Sequence, residues 1–288
     1  MWERRPRRDD PLAYTTRPIA PRAGLLHRVL MQPLSDWRPP QGLIGVFTDI
    51  DDTLTTEGAI SPDALQALAE LKAAGLHVVP ITGRPVGWSE PFAQSWPVDA
   101  IVAENGAVAL QHQQGQALRK LYQQDAAIRT ANFARMQQVL AQIEQSIPGA
   151  MRSQDSAGRE TDIAIDHSEF THLSQTAIDQ VVRAMQTAGM TATVSSIHIN
   201  GWYGEHSKLS GARWIVRQLW GRDLDSEIDR WVYVGDSTND QVMFEHFTHS
   251  VGVANIRRFE AQLMHPPRFI TPSERGTGFA EVARSLLD

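Results

Sequence analysis

Apolar runs of strand length recur along the chain, and each ends where a cluster of polar residues begins. Residues 43–47, 76–81 and 231–234 are such runs. Short apolar segments of this kind are typical of strands buried on both faces, as in a parallel sheet. We therefore expect a buried parallel sheet whose strands end at the polar clusters. Further strands are predicted near residues 101–102, 250–254 and 268–271.

Helical patterns lie between the predicted strands. The first helix is predicted to begin after Ser61, because a capping serine is followed by Pro62 at the first helical position, and to end at Gly75. Other helices are predicted over residues 208–220 and 241–247 and near residues 278–287. Strands that alternate with helices indicate βαβ units, so the predicted fold class is α/β with a parallel sheet.

Residues 113–199 show a separate pattern. A long helix is predicted over residues 125–147, an alternating strand over 161–166, a second helix over 175–187 and an extended segment over 190–199. This mixture suits a small α/β cap inserted into the sheet domain, which then comprises residues 41–112 and 200–288. Four cap residues are candidate selectors of a ligand: Arg159, Glu160, Asp162 and His198.

Two carboxylates follow the first strand two positions apart. Asp49 and Asp51 point to the same side of an extended segment, where two like charges repel unless a cation or a shared proton compensates them. A calcium loop counted from Asp49 requires glycine at its sixth position and glutamate at its twelfth, where this chain has Leu54 and Ile60. The pair therefore indicates a divalent metal, an acid of raised pKa, or both.

Other polar groups follow the second and last of these strands. Thr82 and Gly83 offer a hydroxyl and backbone N–H groups that suit phosphate oxygens, and Asp236 adds another carboxylate. In parallel α/β sheets, ligands bind beyond the carboxyl ends of the strands. We expect these residues to lie around one site.

The order of these residues resembles the four motifs of the haloacid dehalogenase (HAD) superfamily, subfamily IIB. The motifs correspond to residues 49–53, to Thr82 and Gly83, to Lys208, and to residues 235–240. The resemblance implies a Rossmann-like parallel-sheet core with an inserted C2-type cap. The pattern is similar to sucrose-phosphate and mannosyl-3-phosphoglycerate phosphatases, which favours a phosphorylated sugar as substrate.

The resemblance also implies catalytic roles. Asp49 would attack phosphorus and form an aspartyl-phosphate, and Asp51 would protonate the leaving alkoxide and then activate water. Lys208 would offset negative charge on Asp49 and on the transferred group. The alternative is that the side chain of Lys208, which opens a predicted helix, is simply exposed to solvent and has no catalytic role.

The implied cofactor is Mg²⁺. Its ligands would be Asp49, Asp236 and the main-chain carbonyl of Asp51, and Asp240 would support these ligands through hydrogen bonds. The substrate-binding candidates are Thr82, Gly83, Arg84 and Asn239. Asn239 could equally cap the helix that follows it.

The function predicted from these features is Mg²⁺-dependent hydrolysis of a small phosphorylated metabolite, above all a sugar phosphate. A phosphosugar mutase would use the same residues, so it remains an alternative. A non-catalytic protein that binds a phosphorylated ligand is a second alternative, although such a protein is expected to have lost the nucleophile or the acid.

Composition and charge narrow the function further. The chain contains no cysteine, which excludes thiol catalysis and thiolate metal sites. Residues 1–40 carry a charge of +4 and seven prolines and are predicted to form an arm, which leaves −10 for the rest of the chain. An acidic body disfavours nucleic acid as partner. We expect a small-molecule substrate, and we expect no membrane association because no apolar run approaches the length that spans a bilayer. A cytoplasmic location is expected because no continuous apolar stretch follows the early arginine pairs, as an export signal would require.

Overall fold

The structure is a computed structural model that describes residues 30–113 and 115–288. Its strands, in chain order, are β1 (Gln32–Pro33), β2 (Gly45–Thr48), β3 (Thr55–Thr56), β4 (Ala59–Ile60), β5 (His77–Pro80), β6 (Ile101–Ala103), β7 (Val108–Gln111), β8 (Arg119–Tyr122), β9 (Met151–Arg152), β10 (Ile163–Asp166), β11 (Thr191–Val194), β12 (His198–Trp202), β13 (Trp231–Gly235), β14 (His249–Gly252) and β15 (Phe269–Ile270). Its α-helices are α1 (Pro62–Ala73), α2 (Val86–Ser95), α3 (Ala126–Ser146), α4 (Gln175–Thr187), α5 (Lys208–Trp220), α6 (Gln241–His246) and α7 (Arg275–Leu287).

Six parallel strands form the central sheet, in the order β1-β15-β14-β13-β2-β5. A parallel bridge between Ile81 and Val102 links this sheet to β6, which forms an antiparallel sheet with β7 and β8. Because the strands of the central sheet run in one direction, the polar residues that follow β2, β5 and β13 lie at the same edge. The predicted α/β class with a parallel sheet is confirmed.

Apolar side chains cover both faces of the central sheet. One cluster includes Leu68 of α1 and Phe279 of α7, and the other includes Ile215 of α5 and Phe244 of α6. All residues of β2 and β13 are buried. Burial on two faces explains why these strands read as continuous apolar runs in the sequence.

The predicted helix starts rest on local hydrogen bonds. The Ser61 hydroxyl accepts from the backbone N–H of Ala64 at 3.2 Å, so α1 begins at Pro62 as predicted. Helix α5 begins at Lys208, where Ser207 and Ser210 form a reciprocal capping box. Helix α7 begins at Arg275, somewhat before the predicted position near residue 278.

A second, antiparallel sheet has the order β11-β12-β10-β9. Helices α3 and α4 pack on it through an apolar cluster of its own that includes Met136, Val181 and Ile199. We call this unit the cap. The boundaries at residues 113 and 199 stay a prediction, because β8 pairs with β7 of the core while β12 continues to Trp202 within the cap sheet.

The predicted arm of residues 1–40 lies outside the described residues up to residue 29. From residue 30 onward, the chain forms β1, which pairs in parallel with β15 at the edge of the central sheet. Trp37 follows, and its indole N–H donates to Nδ1 of His249 at 3.1 Å. Among the described helices, none is long and apolar enough to cross a membrane.

Candidate active site

Adjacent strands bring the first and the last acidic motifs together. Asp49 follows β2 and Asp236 follows β13, and Thr48 of β2 is in register with Val234 of β13. The backbone N–H of Asp49 donates to the carbonyl of Val234 at 2.8 Å. The two aspartates therefore leave the sheet side by side, although they are far apart in the sequence.

The two aspartates belong to a buried carboxylate cluster. One carboxylate oxygen from each of Asp49, Asp236 and Asp240 lies within 4.8 Å of the others. All three residues are buried. The side chain of Asp51 is directed elsewhere, so any part it has in a metal site would use its main-chain carbonyl.

Lys208 provides the positive charge within this cluster. Its Nζ donates to Oδ1 of Asp49 and to Oδ1 of Asp240, each at 2.7 Å. Burial alone would lower the pKa of Lys208, but the charges of Asp240 and Asp49 outweigh burial and raise it. Lys208 therefore stays protonated in the buried cluster and is not simply solvated.

Asp240 is saturated with hydrogen-bond donors. Its Oδ1 accepts from Lys208 and from the hydroxyl of Tyr233, and its Oδ2 accepts from the backbone N–H groups of Asp236 and Ser237 at 2.9 and 3.1 Å. A carboxylate with both oxygens occupied in this way can hold the loop after β13. This arrangement suits the supporting role predicted for Asp240.

Asp236 has one oxygen that remains free. Its Oδ2 accepts from Nδ2 of Asn255 at 2.9 Å, whereas its buried Oδ1 has no hydrogen-bond partner among the described residues. An unpaired charged oxygen is costly to bury. A cation bound at Oδ1 would remove that cost.

The pKa values show that the cluster carries too much negative charge for its surroundings. Burial raises the pKa of Asp49 to about 7, with contributions from Asp240 and Asp51 that Lys208 partly opposes. Burial likewise raises the pKa of Asp236 well above its usual range, and the charges of Asp49 and Asp240 raise it further. One ammonium group cannot neutralise three carboxylates.

These residues fit Mg²⁺. Carboxylate oxygens are the ligands that this ion prefers, and one carboxylate oxygen of Asp236 lies within 4.8 Å of one of Asp49. The Oδ1 of Asp236 has no hydrogen-bond partner among the described residues. A divalent charge would also balance the excess of acid over base in the cluster.

Asp51 contacts a basic residue that also reaches the cap. The Nε of Arg84 donates to both oxygens of Asp51 at 2.9 and 3.1 Å. The guanidinium of Arg84 also donates to Asp155 at 3.2 Å and to Glu169 at 2.7 Å. Arg84, predicted to bind substrate, thus lies among three carboxylates and joins the core to the cap.

The remaining substrate-binding candidates lie at the carboxyl ends of β5 and β13. Thr82 is buried one residue beyond Ile81, and its hydroxyl oxygen accepts from the backbone N–H of Arg84 at 3.0 Å. Asn239 is buried, and its side-chain oxygen accepts from the hydroxyl of Ser237 at 2.9 Å. Helix α6 has no side-chain hydrogen bond at its N-cap, so Asn239 does not cap it.

A cavity of about 280 Å³ lies between the core loops and the cap. Asp51 and Arg84 line it from the core, and Glu169, Phe170 and Ile197 line it from the cap. We call it the interdomain cavity. Its position beside Asp51 suits the leaving group of a substrate.

Three of the four candidate selectors neither line this cavity nor form a hydrogen bond with a side chain that lines it. Arg159 and Asp162 are buried against each other, 2.7 Å apart, and Glu160 accepts from Lys120 at 2.9 Å. His198 lies 2.9 Å from Glu169 and so supports one wall of the cavity. The cap residues that line the cavity come from the loop after β10 and, for Ile197, from the turn between β11 and β12, and they were not among the predicted selectors.

Asn255 is a site residue that the sequence reasoning missed. Besides its contact with Asp236, it donates to the main-chain carbonyl of Asp52 at 3.0 Å, and its oxygen accepts from the backbone N–H of Arg275 at 3.0 Å. It follows β14, another strand of the same sheet. Its position after the end of a predicted strand was the sequence feature that could have identified it.

Comparisons with known proteins match part of the chain to a family. Residues 46–181 match the family model of the haloacid dehalogenase-like hydrolases. Among curated proteins, no sequence relative matches the chain.

Several solved structures share the fold. A Thermoplasma acidophilum protein, 0175, is 15% identical with a TM-score of 0.64, and the match covers 85% of this chain and 98% of that one. The sucrose-phosphatase of Synechocystis sp. PCC6803, solved with sucrose and phosphate, is 15% identical with a TM-score of 0.60, covering 85% and 98%. A HAD subclass IIB sugar phosphatase is 16% identical with a TM-score of 0.55, covering 84% and 96%.

The motifs, the family model and the fold lead to one class. Residues 46–181 belong to the haloacid dehalogenase-like hydrolase family, and the chain shares its fold with a solved structure of subclass IIB. The resemblance drawn from the motifs and the prediction of an enzyme of this type are confirmed. The roles of the individual site residues stay predictions.

Proposed function

We propose that this protein is a Mg²⁺-dependent phosphatase that hydrolyses a phosphorylated sugar through an aspartyl-phosphate on Asp49. The observation that carries the proposal is the convergence of Asp49, Asp236 and Lys208 at one edge of the sheet. A nucleophile, a metal-ligating acid and a fixed cation are the groups that phosphoryl transfer requires.

Asp49 is suited to the nucleophilic role. Lys208 holds its Oδ1 at 2.7 Å, and its Oδ2 accepts no hydrogen bond from the part of the chain that the structure describes. A carboxylate fixed through one oxygen presents the other in a defined direction. In-line attack on phosphorus depends on such placement.

Mg²⁺ would be held by Asp49, Asp236 and the main-chain carbonyl of Asp51. When bound, it would neutralise charge on the phosphoryl group and in the carboxylate cluster. The unpaired Oδ1 of Asp236 supports this assignment.

Asp51 would act as general acid and base. Its carboxylate borders the interdomain cavity, where the leaving oxygen of a substrate would lie. The contact with Arg84 fixes the direction of this carboxylate at 2.9 Å. It would give a proton to the departing alkoxide and then take one from the attacking water.

Thr82, Gly83 and Lys208 would receive the phosphoryl oxygens. The hydroxyl of Thr82 and the backbone N–H of Gly83 lie at the end of β5, beside β2 in the sheet. Donors fixed before the reaction stabilise charge that develops in the transition state. Asn239, which also lies at this edge, would assist them.

A sugar is the proposed leaving group. The lining of the interdomain cavity combines carboxylates and the guanidinium groups of Arg84 and Arg275 with the exposed ring of Phe170. Polar groups around an aromatic ring suit a polyhydroxylated ligand. Structures with this fold include a sucrose-phosphatase and another sugar phosphatase, which supports the same substrate class. Nucleic acid and membrane are not among the proposed partners, and the proposed location is the cytoplasm.

A phosphosugar panel tests the proposal. Purified protein is incubated with Mg²⁺ and each phosphosugar, and both released phosphate and isomerised sugar phosphate are measured. We expect phosphate release that requires Mg²⁺ and falls by at least about 10³-fold in Asp49→Asn. Isomerised product without phosphate release would indicate a mutase. Unchanged turnover in Asp49→Asn would refute the assignment of the nucleophile.

A further inference from the structure

The turn from Thr82 to Arg84 is anchored by the core on several sides. Thr82 donates its N–H to Val102 at 2.9 Å and accepts at its carbonyl from Asn105 at 2.9 Å. The carbonyl of Arg84 accepts from the N–H of Glu104 at 3.0 Å. The third main-chain acceptor of the turn is the carbonyl of Gly83, to which no described residue of the core donates a hydrogen bond.

Two cap side chains bind that carbonyl. Nη1 of Arg159 donates to the Gly83 oxygen at 3.0 Å, and Nδ2 of Asn200 donates to it at 3.2 Å. Arg159 and Asn200 are 4% and 1% exposed, so water does not compete for these bonds. The cap therefore contacts the backbone of the turn directly.

Asp162 holds both donors in place. Its Oδ1 accepts from Arg159 at 2.7 Å and its Oδ2 accepts from Asn200 at 2.9 Å. Asn105 of the core donates to the same Oδ2 at 3.3 Å. The two donors are thus oriented by a fully buried carboxylate rather than free to rotate.

The hydrogen bonds form a chain that leads to the hydroxyl of Thr82. The carbonyl of Gly83 and the N–H of Arg84 belong to one peptide group, and that N–H donates to Oγ1 of Thr82 at 3.0 Å. A peptide whose oxygen accepts from a guanidinium is polarised, which strengthens its N–H as a donor. A hydroxyl that accepts a strong hydrogen bond becomes a better donor to a third group.

We propose that Arg159 and Asn200 are positioning residues for the phosphoryl group, acting through the Gly83–Arg84 peptide on Thr82. This inference rests on the proposed function, since it takes Thr82 as a donor to the phosphoryl group. It gives the cap a part in phosphate binding that does not depend on the leaving group.

Asn200→Ala is the appropriate test variant. Removing Arg159 would leave Asp162 buried without its cation, which endangers folding. Asn200 is neutral, and its loss removes one of the two donors to Gly83. Arg159→Lys serves as a second variant, because it keeps the charge beside Asp162 and loses the fork that reaches Gly83. Asn132→Ala is the control, since it removes the same kind of side chain from α3 of the cap, where Nδ2 of Asn132 donates to Gln124 at 3.4 Å.

Three quantities are measured with Mg²⁺ present: the Kd of inorganic phosphate, and kcat/KM for a phosphosugar and for p-nitrophenyl phosphate. We expect Asn200→Ala and Arg159→Lys to weaken phosphate binding and to lower both kcat/KM values by about 3- to 10-fold, the effect of one hydrogen bond. Asn132→Ala should leave all three within about twofold of the wild type. In a Thr82→Val background, Asn200→Ala should change them by less than about twofold, because the two residues act in series.

Two results would overturn the inference. A loss confined to the phosphosugar would make Asn200 a selector of the leaving group. If Asn200→Ala weakened phosphate binding and lowered kcat/KM equally in the wild type and in the Thr82→Val background, Asn200 would act through general stability and not through Thr82. A wild-type protein that binds phosphate but releases none from either ester would refute the proposed hydrolysis, while the phosphate Kd would still decide this inference.

Discussion

The two oxygens of Asp236 have different surroundings. Oδ2 is bound by Asn255, whereas the buried Oδ1 has no partner among the described residues. The charges of Asp49 and Asp240 lie close to it and raise its pKa after burial has done so. Without a cation, the burial of this charge therefore opposes folding, and a bound cation would offset that cost.

Asp236→Asn is expected to abolish stabilisation by Mg²⁺. An ion that binds only the folded state raises the melting temperature of the wild type, and the variant lacks the charge that binds it. Without metal, the variant should melt at or above the melting temperature of the wild type, because the substitution removes a carboxylate that Asp49 and Asp240 repel. Thermal unfolding with and without Mg²⁺ measures both effects.

Asp179→Asn, at an exposed position on α4, is the matched control and should keep the full Mg²⁺ response. An equal rise in melting temperature for Asp236→Asn and the wild type would contradict the metal assignment.

Glu169 is expected to contribute pH-dependent stability. Burial alone would raise its pKa, but hydrogen bonds from His198 and Arg84 outweigh burial and lower the pKa to about 2 from 4.5. The ionised form is therefore favoured by the fold, and its contribution is complete above about pH 4.5 and is lost as the pH falls towards 2.

Glu169→Gln should be less stable than the wild type by about 1 kcal/mol near neutral pH, since solvent screens this half-buried group. The difference should vanish in strong acid. Denaturant unfolding of both proteins across this pH range measures it. A difference that is independent of pH would show that the ion pair with Arg84 is not its source.

The sequence predicted the charged residues of the carboxylate cluster better than the residues that surround Asp236 and Arg84. Asp49, Asp236 and Lys208 carry a charge at a motif position, so their type and spacing were informative. Asn255 is a single amide, and the carboxylates around Arg84 come from the distant cap. Such contacts depend on how remote segments pack, which residue types alone do not specify.

At the scale of elements, a close approach of two glycines places Lys208. Residues 104–106 form a short 3₁₀ turn after β6 that packs against the first turns of α5. A Cβ on Gly106 would lie 2.2 Å from the carbonyl oxygen of Ser207, and a Cβ on Gly211 would lie 2.6 Å from Cα of Gly106. Any larger residue would push away the start of α5, where Lys208 lies.

Gly106→Ala is expected to destabilise the protein by about 3 kcal/mol and to lower kcat. The clash with Ser207 adds to the strain of its φ of +107°. Gly189→Ala is the control, because Gly189 has a similar positive φ of +79° but open space around it, and it should cost only about 1 kcal/mol.

Denaturant unfolding and phosphate release measure these two effects. Equal destabilisation by the two substitutions would show that the contact with α5 does not matter. Unchanged kcat in a destabilised Gly106→Ala would show that Lys208 is placed by other contacts.

Elements with strong local signals were predictable, and others were not. Helix α1 has a capping serine and β13 is a continuous apolar run, so both were predicted. Helix α2 contains Pro91, which interrupts the helical pattern, and no prediction covered it. The strands β3 and β4 have only two residues each and leave no periodic pattern.

At the scale of the whole molecule, buried hydrogen bonds join the cap to the core. The carboxylate of Glu104, in the core, accepts from the backbone N–H groups of Glu160 and Thr161 at 2.9 and 2.5 Å and from the hydroxyl of Thr161. Glu104 and Asn105 have φ values of 48° and 55°, which non-glycine residues adopt only when their surroundings hold them. The junction thus fixes the cap above the carboxylate cluster.

The presence of a cap was easier to predict from the sequence than the boundaries of the cap. The inserted segment has its own periodic pattern and its own apolar cluster. Its limits depend on which sheet takes β8 and β12, and pairing between remote strands is set by packing. The interdomain cavity lies between the core and the cap, so its lining also could not be predicted from the sequence pattern.

The most direct test of the account is to identify the residue that carries the phosphoryl group during turnover. The wild type is quenched with acid while it hydrolyses its preferred phosphosugar with Mg²⁺, and the phosphorylated peptide is mapped by mass spectrometry. We expect the phosphoryl group on Asp49 and no such adduct in Asp49→Asn. A phosphoryl group on another residue, or undiminished phosphate release by Asp49→Asn, would contradict it.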